Sequence, residues 1–155
     1  MTGWRLAFFC GASWAVDALA NIKDNCDSGQ FKAIQKAACV GIADESLAEG
    51  IREHYETRLR RIVEVLREVG FDANMPGGTF FLYAKAPKGA GDVVFANAEE
   101  ASLYLIETVA SSTVPWDNTV PFIRFGAVFE SAGDADDERV LSELSARLKQ
   151  ADLRF

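Results

Sequence analysis

Residues 46–69 read SLAEGIREHYETRLRRIVEVLREV, and this stretch decides the fold. Leu47, Ile51, Tyr55, Leu59, Ile62, Leu66 and Val69 recur every three or four positions. That spacing places them in one stripe of a long amphipathic helix. Ser46 and Glu49 have capping-box spacing, in which each side chain satisfies the other residue's free backbone N–H. Gly70 ends the helix, because glycine tolerates the left-handed conformation that follows a last turn. At about six turns it is long enough to span or link two lobes.

Downstream of Gly70 the pattern turns to short strands separated by breakers. Pro76–Gly78 reads as a loop, Thr79–Lys85 (TFFLYAK) as a buried strand, and Lys88–Asp92 (KGAGD) as a flexible loop. Asn97 with Glu100 opens a helix to about Val109. Ser112–Val114 and Phe122–Phe129 read as strands, and Asp134–Asp137 opens a closing helix carrying Val140, Leu141, Leu144 and Leu148. Upstream, Trp4–Cys10 (WRLAFFC) reads as a strand whose partner is not evident, followed by helices over Trp14–Asp24 and Phe31–Ile42. Asp24–Gln30 between them is a polar turn. The predicted class is α/β (α+β): a small antiparallel or mixed sheet with helices packed on it.

Composition narrows the function. Of 155 residues, 49% are hydrophobic and 25% charged, as in ordinary globular proteins. The net charge of −7 argues against a phosphate-tracking surface, which needs clustered Lys and Arg. Cys10, Cys26 and Cys39 form no CxxC pair and His54 is the single histidine, so no metal site is readable. The sparse cysteines fit a reducing cytoplasm, and neither a signal peptide nor a membrane span is expected.

Two arginines carry the readable chemistry. Arg5 interrupts an apolar segment, so it either reaches solvent from an edge or binds an anion. In FIRFGAVF, alternation puts Ile123, Phe125 and Ala127 on one face and Phe122, Arg124, Gly126 and Val128 on the other. The Arg124 guanidinium then projects beside a glycine that leaves room. It suits bidentate carboxylate recognition, or alternatively a structural salt bridge. His54, within REHYETR, reads as part of a solvated helix face. KGAGD lacks the spacing of a phosphate-binding loop, and no G-x-S-x-G elbow occurs.

Together these segments resemble fold-type I, class I/II pyridoxal-phosphate aminotransferases along essentially the whole chain. MTGWRLAF resembles the stretch shortly after the cofactor-bearing lysine, and FIRF the last strand. NCDSGQF and STVPWDN are similar to the LL-diaminopimelate aminotransferase-like group, although Trp116-Asp117-Asn118 stands where many members have a Gly-rich stretch. The resemblance implies a large-domain tail over residues 1–43, a connector helix over 44–70 and a small C-terminal domain over 71–155. It implies that Arg5 holds the cofactor phosphate and Arg124 the substrate α-carboxylate. Asn25 and Ser28, with Asp27 and Gln30 beside them, would complete a neighbouring site in a homo-oligomer.

The implied reaction moves an amino group between an amino acid and a 2-oxo acid. Lys23, Lys32, Lys36, Lys85, Lys88 and Lys149 are the lysines of the chain, and none precedes GWR as the cofactor-bearing lysine does in the family. That lysine holds the cofactor and moves the proton, so the chain alone is expected to bind no pyridoxal phosphate and to be inactive. The alternative is a non-catalytic folded domain that self-associates.

Overall fold

The computed structural model describes residues 2–26 and 28–155; Met1 and Asp27 lie outside them. The chain forms two compact units, Met1–Gly50 and Ile51–Phe155.

The first unit opens with a single 3-10 turn over Thr2–Trp4, after which Arg5 adopts a left-handed backbone with φ 53°. The strand expected over Trp4–Cys10 does not form. A strand needs a neighbour to satisfy its N–H and C=O groups, and no strand exists among the described residues of this unit. Helix α1 runs Ser13–Cys26 and α2 Lys32–Ala43. Because α1 continues to Cys26, Asn25 belongs to its last turn rather than to a polar turn. Helix α1 buries no residue and α2 only Ala38, while Trp14, Phe31 and Val40 are each 70–76% exposed.

Helix α3 covers Glu45–Val69. Its cap is Asp44, not Ser46: Asp44 Oδ1 accepts from the Ser46 N–H at 3.1 Å and from the Ser46 hydroxyl at 2.6 Å. Aspartate caps well because its carboxylate faces the unpaired N–H groups of the first turn. The Ser46 hydroxyl bond in turn holds the Asp44 carboxyl below its ordinary range. At the other end Gly70 has φ 110°, and a Cβ there would lie 2.9 Å from the Phe155 ring. Only glycine meets both conditions.

In the second unit, β1 (Phe81–Lys85), β4 (Val114–Trp116) and β5 (Phe122–Gly126) form an antiparallel sheet in the order β1-β5-β4. The β4 strand begins two residues later than its pattern implied, and β5 stops at Gly126 instead of Phe129. One face of this sheet is apolar and covered: Leu82, Ala84, Ile123 and Phe125 join Leu59, Ile62 and Leu66 of α3 in a single core. Helix α4 (Ala98–Val109) adds Ala101 and Leu105, and α5 (Asp134–Gln150) adds Leu141 and Leu148.

The KGAGD segment is not a loose loop. Strands β2 (Gly89–Ala90) and β3 (Val93–Val94) form a hairpin, and β6 (Leu153–Arg154) pairs with β2 on its other side. A Cβ on Gly89 would lie 2.3 Å from the Val93 carbonyl oxygen, so this close approach requires glycine.

A buried ion pair ties α3 to α5. Arg58 donates from Nε to Asp137 Oδ2 at 3.0 Å and from Nη2 to Oδ1 at 2.9 Å. Its Nη1 reaches the Phe129 carbonyl at 2.9 Å, its Nη2 the Ser131 hydroxyl, and its guanidinium lies 4.4 Å from the Phe129 ring centre. Burial pushes the Asp137 carboxyl up, but hydrogen bonds from Arg58 and Ser131 outweigh it and leave the carboxyl below its ordinary range.

Candidate functional site

The helices cover one face of the three-stranded sheet, and the site lies on the other. Strand register aligns its outward side chains in rows. Tyr83 pairs with Arg124, and Arg124 with Val114; one row on, Lys85 pairs with Phe122, and Phe122 with Trp116. Period-two alternation sends Ile123 and Phe125 into the core, which obliges Arg124 to face outward. Here the alternation expected of FIRFG is realised.

Arg124 sits on the central strand, half-buried, with its guanidinium 4.2 Å from the Phe81 ring centre. Phe81 pairs with Gly126, where an added Cβ would make ordinary contact with the ring at 3.6 Å and press closer, at 3.3 Å, on Val128. No carboxylate pairs with Arg124 among the described residues. The salt-bridge reading of this arginine therefore finds no partner. What remains is a planar cation stacked on an aromatic, with its fork of N–H donors unspent, which suits an incoming carboxylate.

Beside this row is an open cleft of about 520 Å³ lined by Tyr83, Trp116, Asn118, Thr119, Val120 and Phe122. Tyr83 and Trp116 meet edge to face, their ring centres 6.1 Å apart. The loop leaving β4 is held by Asp117, whose carboxylate accepts from the Ala98 N–H at 2.7 Å and the Glu99 N–H at 3.2 Å. It satisfies two first-turn donors of α4, beside Asn97, which accepts from the Glu100 N–H at 2.9 Å. Ser102 of α4 also binds Thr113, through its carbonyl at 3.0 Å and its hydroxyl at 2.7 Å, fixing the entry to β4. Sequence reading missed Tyr83, Asp117 and Phe81. The one available signal was the WDN departure, since a polar triplet between two strands needs something to hold it.

The remaining predicted site residues lie in the first unit. Arg5 is exposed, in its left-handed conformation, and has no hydrogen bond or ion pair among the described residues. Asn25 uses its side-chain amide on the Asn21 carbonyl at 2.8 Å within α1. Ser28 is exposed. His54 is exposed on α3 and packs edge to face on Tyr55. Cys10, Cys26 and Cys39 are exposed and free, and the described residues contain no cluster able to hold a metal ion. No helix among them is long and apolar enough to cross a membrane.

A mixed α/β unit with a cation on the open face of a small antiparallel sheet is thus the class that fold and site define. The family model for aminotransferase class I and II matches residues 1–119, and the chain belongs to that family. It is 45% identical over its whole length to an LL-diaminopimelate aminotransferase of Methanocaldococcus jannaschii, and 46% identical to one of Methanococcus maripaludis. It spans 39% of the length of each. In structure it superposes on an aspartate aminotransferase from Rhizobium meliloti with a TM-score of 0.79 at 23% identity, covering 99% of this chain and 39% of that one. The fold matches aminotransferase C-terminal domains, and the family works with pyridoxal phosphate.

Proposed function

We propose that this chain supplies the substrate-carboxylate arm of a pyridoxal-phosphate transaminase that moves an amino group between an amino acid and a 2-oxo acid. The observation that carries the reading is Arg124, half-buried on the central strand, stacked on Phe81 and without a carboxylate partner among the described residues. Its role is to fix the α-carboxylate in one orientation, a fixed positive charge facing an anion in a partly dry setting.

Arg5 fits the cofactor's phosphate. It is a cation with no hydrogen bond or ion pair among the described residues, and its left-handed backbone is a strained conformation for a non-glycine residue, of the kind that gathers at ligand sites. Pyridoxal phosphate, when bound, supplies the electron sink that lets the substrate's α-carbon lose its proton. None of the six lysines stands at the position of the family's cofactor-bearing lysine, so these 155 residues bind and orient without completing the chemistry. In this reading residues 1–43 are the tail of a cofactor domain, 44–70 the connector and 71–155 the carboxylate-binding domain. Asn25 and Ser28 face the site of a second subunit, and the assembly works in the cytoplasm.

Titration with 2-oxobutyrate, followed on the arginine side-chain N–H resonances, tests the Arg124 role. Saturable shifts at Arg124 are expected, with affinity falling about tenfold or more in Arg124→Gln and less in Arg124→Lys, which keeps charge but loses the fork. Binding unaffected by Arg124→Gln would contradict it.

A second reading is favoured by the open apolar faces of α1 and α2, where Trp14, Phe31 and Val40 stand 70–76% exposed. Such surface promotes self-association. Light scattering is then expected to give a mass that rises with concentration; a constant monomer mass would remove this reading.

A further inference from the structure

We infer that the cleft beside Arg124 is a side-chain pocket for uncharged aromatic or long apolar substituents of the carboxylate ligand. The inference rests on the reading of Arg124 as the carboxylate anchor and adds the class of ligand that the anchor presents.

Three observations carry it. First, placement: Phe122 is two residues from Arg124 on the same face, a separation of about 7 Å along a strand, and Trp116 pairs directly with Phe122. A ligand held by its carboxylate at Arg124 therefore lays its substituent against Tyr83, Phe122 and Trp116. Second, chemistry: the lining is aromatic and aliphatic, with polarity only from the neutral Asn118 and Thr119 and the Tyr83 hydroxyl. No acidic or basic side chain lines the cleft. Lys85, in the same row as Phe122, places its ammonium 3.5 Å from Asp72 Oδ2. A distal ammonium or carboxylate on the ligand would meet no opposite charge in the cleft and would lose water on entering it, which disfavours it. An aryl or alkyl group instead gains burial and edge-to-face contact. Third, rigidity: the wall is preorganised. Asp117 anchors its loop to two N–H groups of α4, and Trp116 is braced edge to face on Tyr83. A fixed wall discriminates more sharply than one that must be ordered on binding.

The test is a series of probes titrated into the 155-residue protein and followed by side-chain and backbone resonances. Phenylpropionate carries both features. Phenylpropanol keeps the ring and loses the charge, while glutarate and aminohexanoate keep the carboxylate and add a distal charge. Phenylpropionate is expected to shift Arg124, Tyr83, Trp116 and Phe122 together and to bind about tenfold more tightly than glutarate or aminohexanoate. Trp116→Ala is expected to weaken phenylpropionate about tenfold and so erase that preference. Asn118→Asp, which adds a carboxylate to the exposed lining of the cleft, is expected to move the preference toward aminohexanoate. Equal affinities for the three acids, or shifts confined to Arg124, overturn the pocket and leave Arg124 as the anchor. Equal binding of phenylpropanol and phenylpropionate, insensitive to Arg124→Gln, overturns the anchor and with it the inference, although the cleft would still bind rings. Absence of saturable shifts with any probe overturns both.

Discussion

Arg58→Ala is expected to cost about 3–5 kcal/mol of stability, because it strands a buried carboxylate rather than merely deleting a contact. Asp137 is 5% exposed and receives two N–H donors from Arg58. Without them its charge keeps only the Ser131 hydroxyl and the nearby Arg61 charge, and the carbonyl of Phe129 loses a donor as well. Denaturant melts of the wild type and the variant measure the difference. Replacing both partners by apolar residues of similar volume, Arg58→Met with Asp137→Leu, should be far milder, since neither charge is then left buried. A small loss in Arg58→Ala would mean that the pair is more solvated than its geometry indicates.

The same pair sets an acid limit. The Asp137 carboxyl is held below its ordinary value of 3.8 in the folded chain. A depressed folded value means that the unfolded chain binds a proton first. The contribution of Asp137 is therefore fully present above the unfolded value, and it is lost as pH falls from there through the folded value. Arg58→Ala should flatten this dependence below about pH 4. An unchanged acid slope would show that other carboxylates dominate it.

Leu66→Ala is expected to cost about 2–5 kcal/mol. Leu66 is fully buried at the centre of the α3 stripe, in the core shared with Leu82, Ile123 and Leu148. Removing its side chain leaves a void that surrounding strands and helices can only partly close. Leu47 lies on the same helical stripe but is 50% exposed. Leu47→Ala should therefore cost well under half as much in the same melts. Comparable losses would place Leu47 in a core that the fold does not assign to it.

That contrast also marks how far the sequence was legible. The α3 stripe, its stop at Gly70 and the outward register of Arg124 were readable because each depends on local periodicity or on one residue's conformational freedom. The expected strand at Trp4–Cys10 failed because WRLAFFC has strand composition but no neighbour among the described residues of its unit. Composition sets preference, while pairing decides. The β2–β3 hairpin was hidden because two-residue strands leave no alternation to count; its evidence, Gly89 packed against Val93, is a contact. Arg58 was camouflaged among the charges of HYETRLRR, and its partner lies 79 residues away. Asp117 was missed for the same reason, its role being to cap a helix that begins 19 residues earlier. What escaped was long-range polar pairing, which leaves no periodic trace.

The most direct test of the central claim, that this chain binds and orients for transamination without the cofactor-bearing lysine, is a titration of the 155-residue protein with pyridoxal phosphate. It is followed by borohydride reduction and peptide mass mapping. At most weak binding, competed by inorganic phosphate and lost in Arg5→Ala, with no single lysine labelled, is the predicted result. Stoichiometric fixation at one of Lys23, Lys32, Lys36, Lys85, Lys88 or Lys149, discharged by an amino acid before reduction, would contradict it.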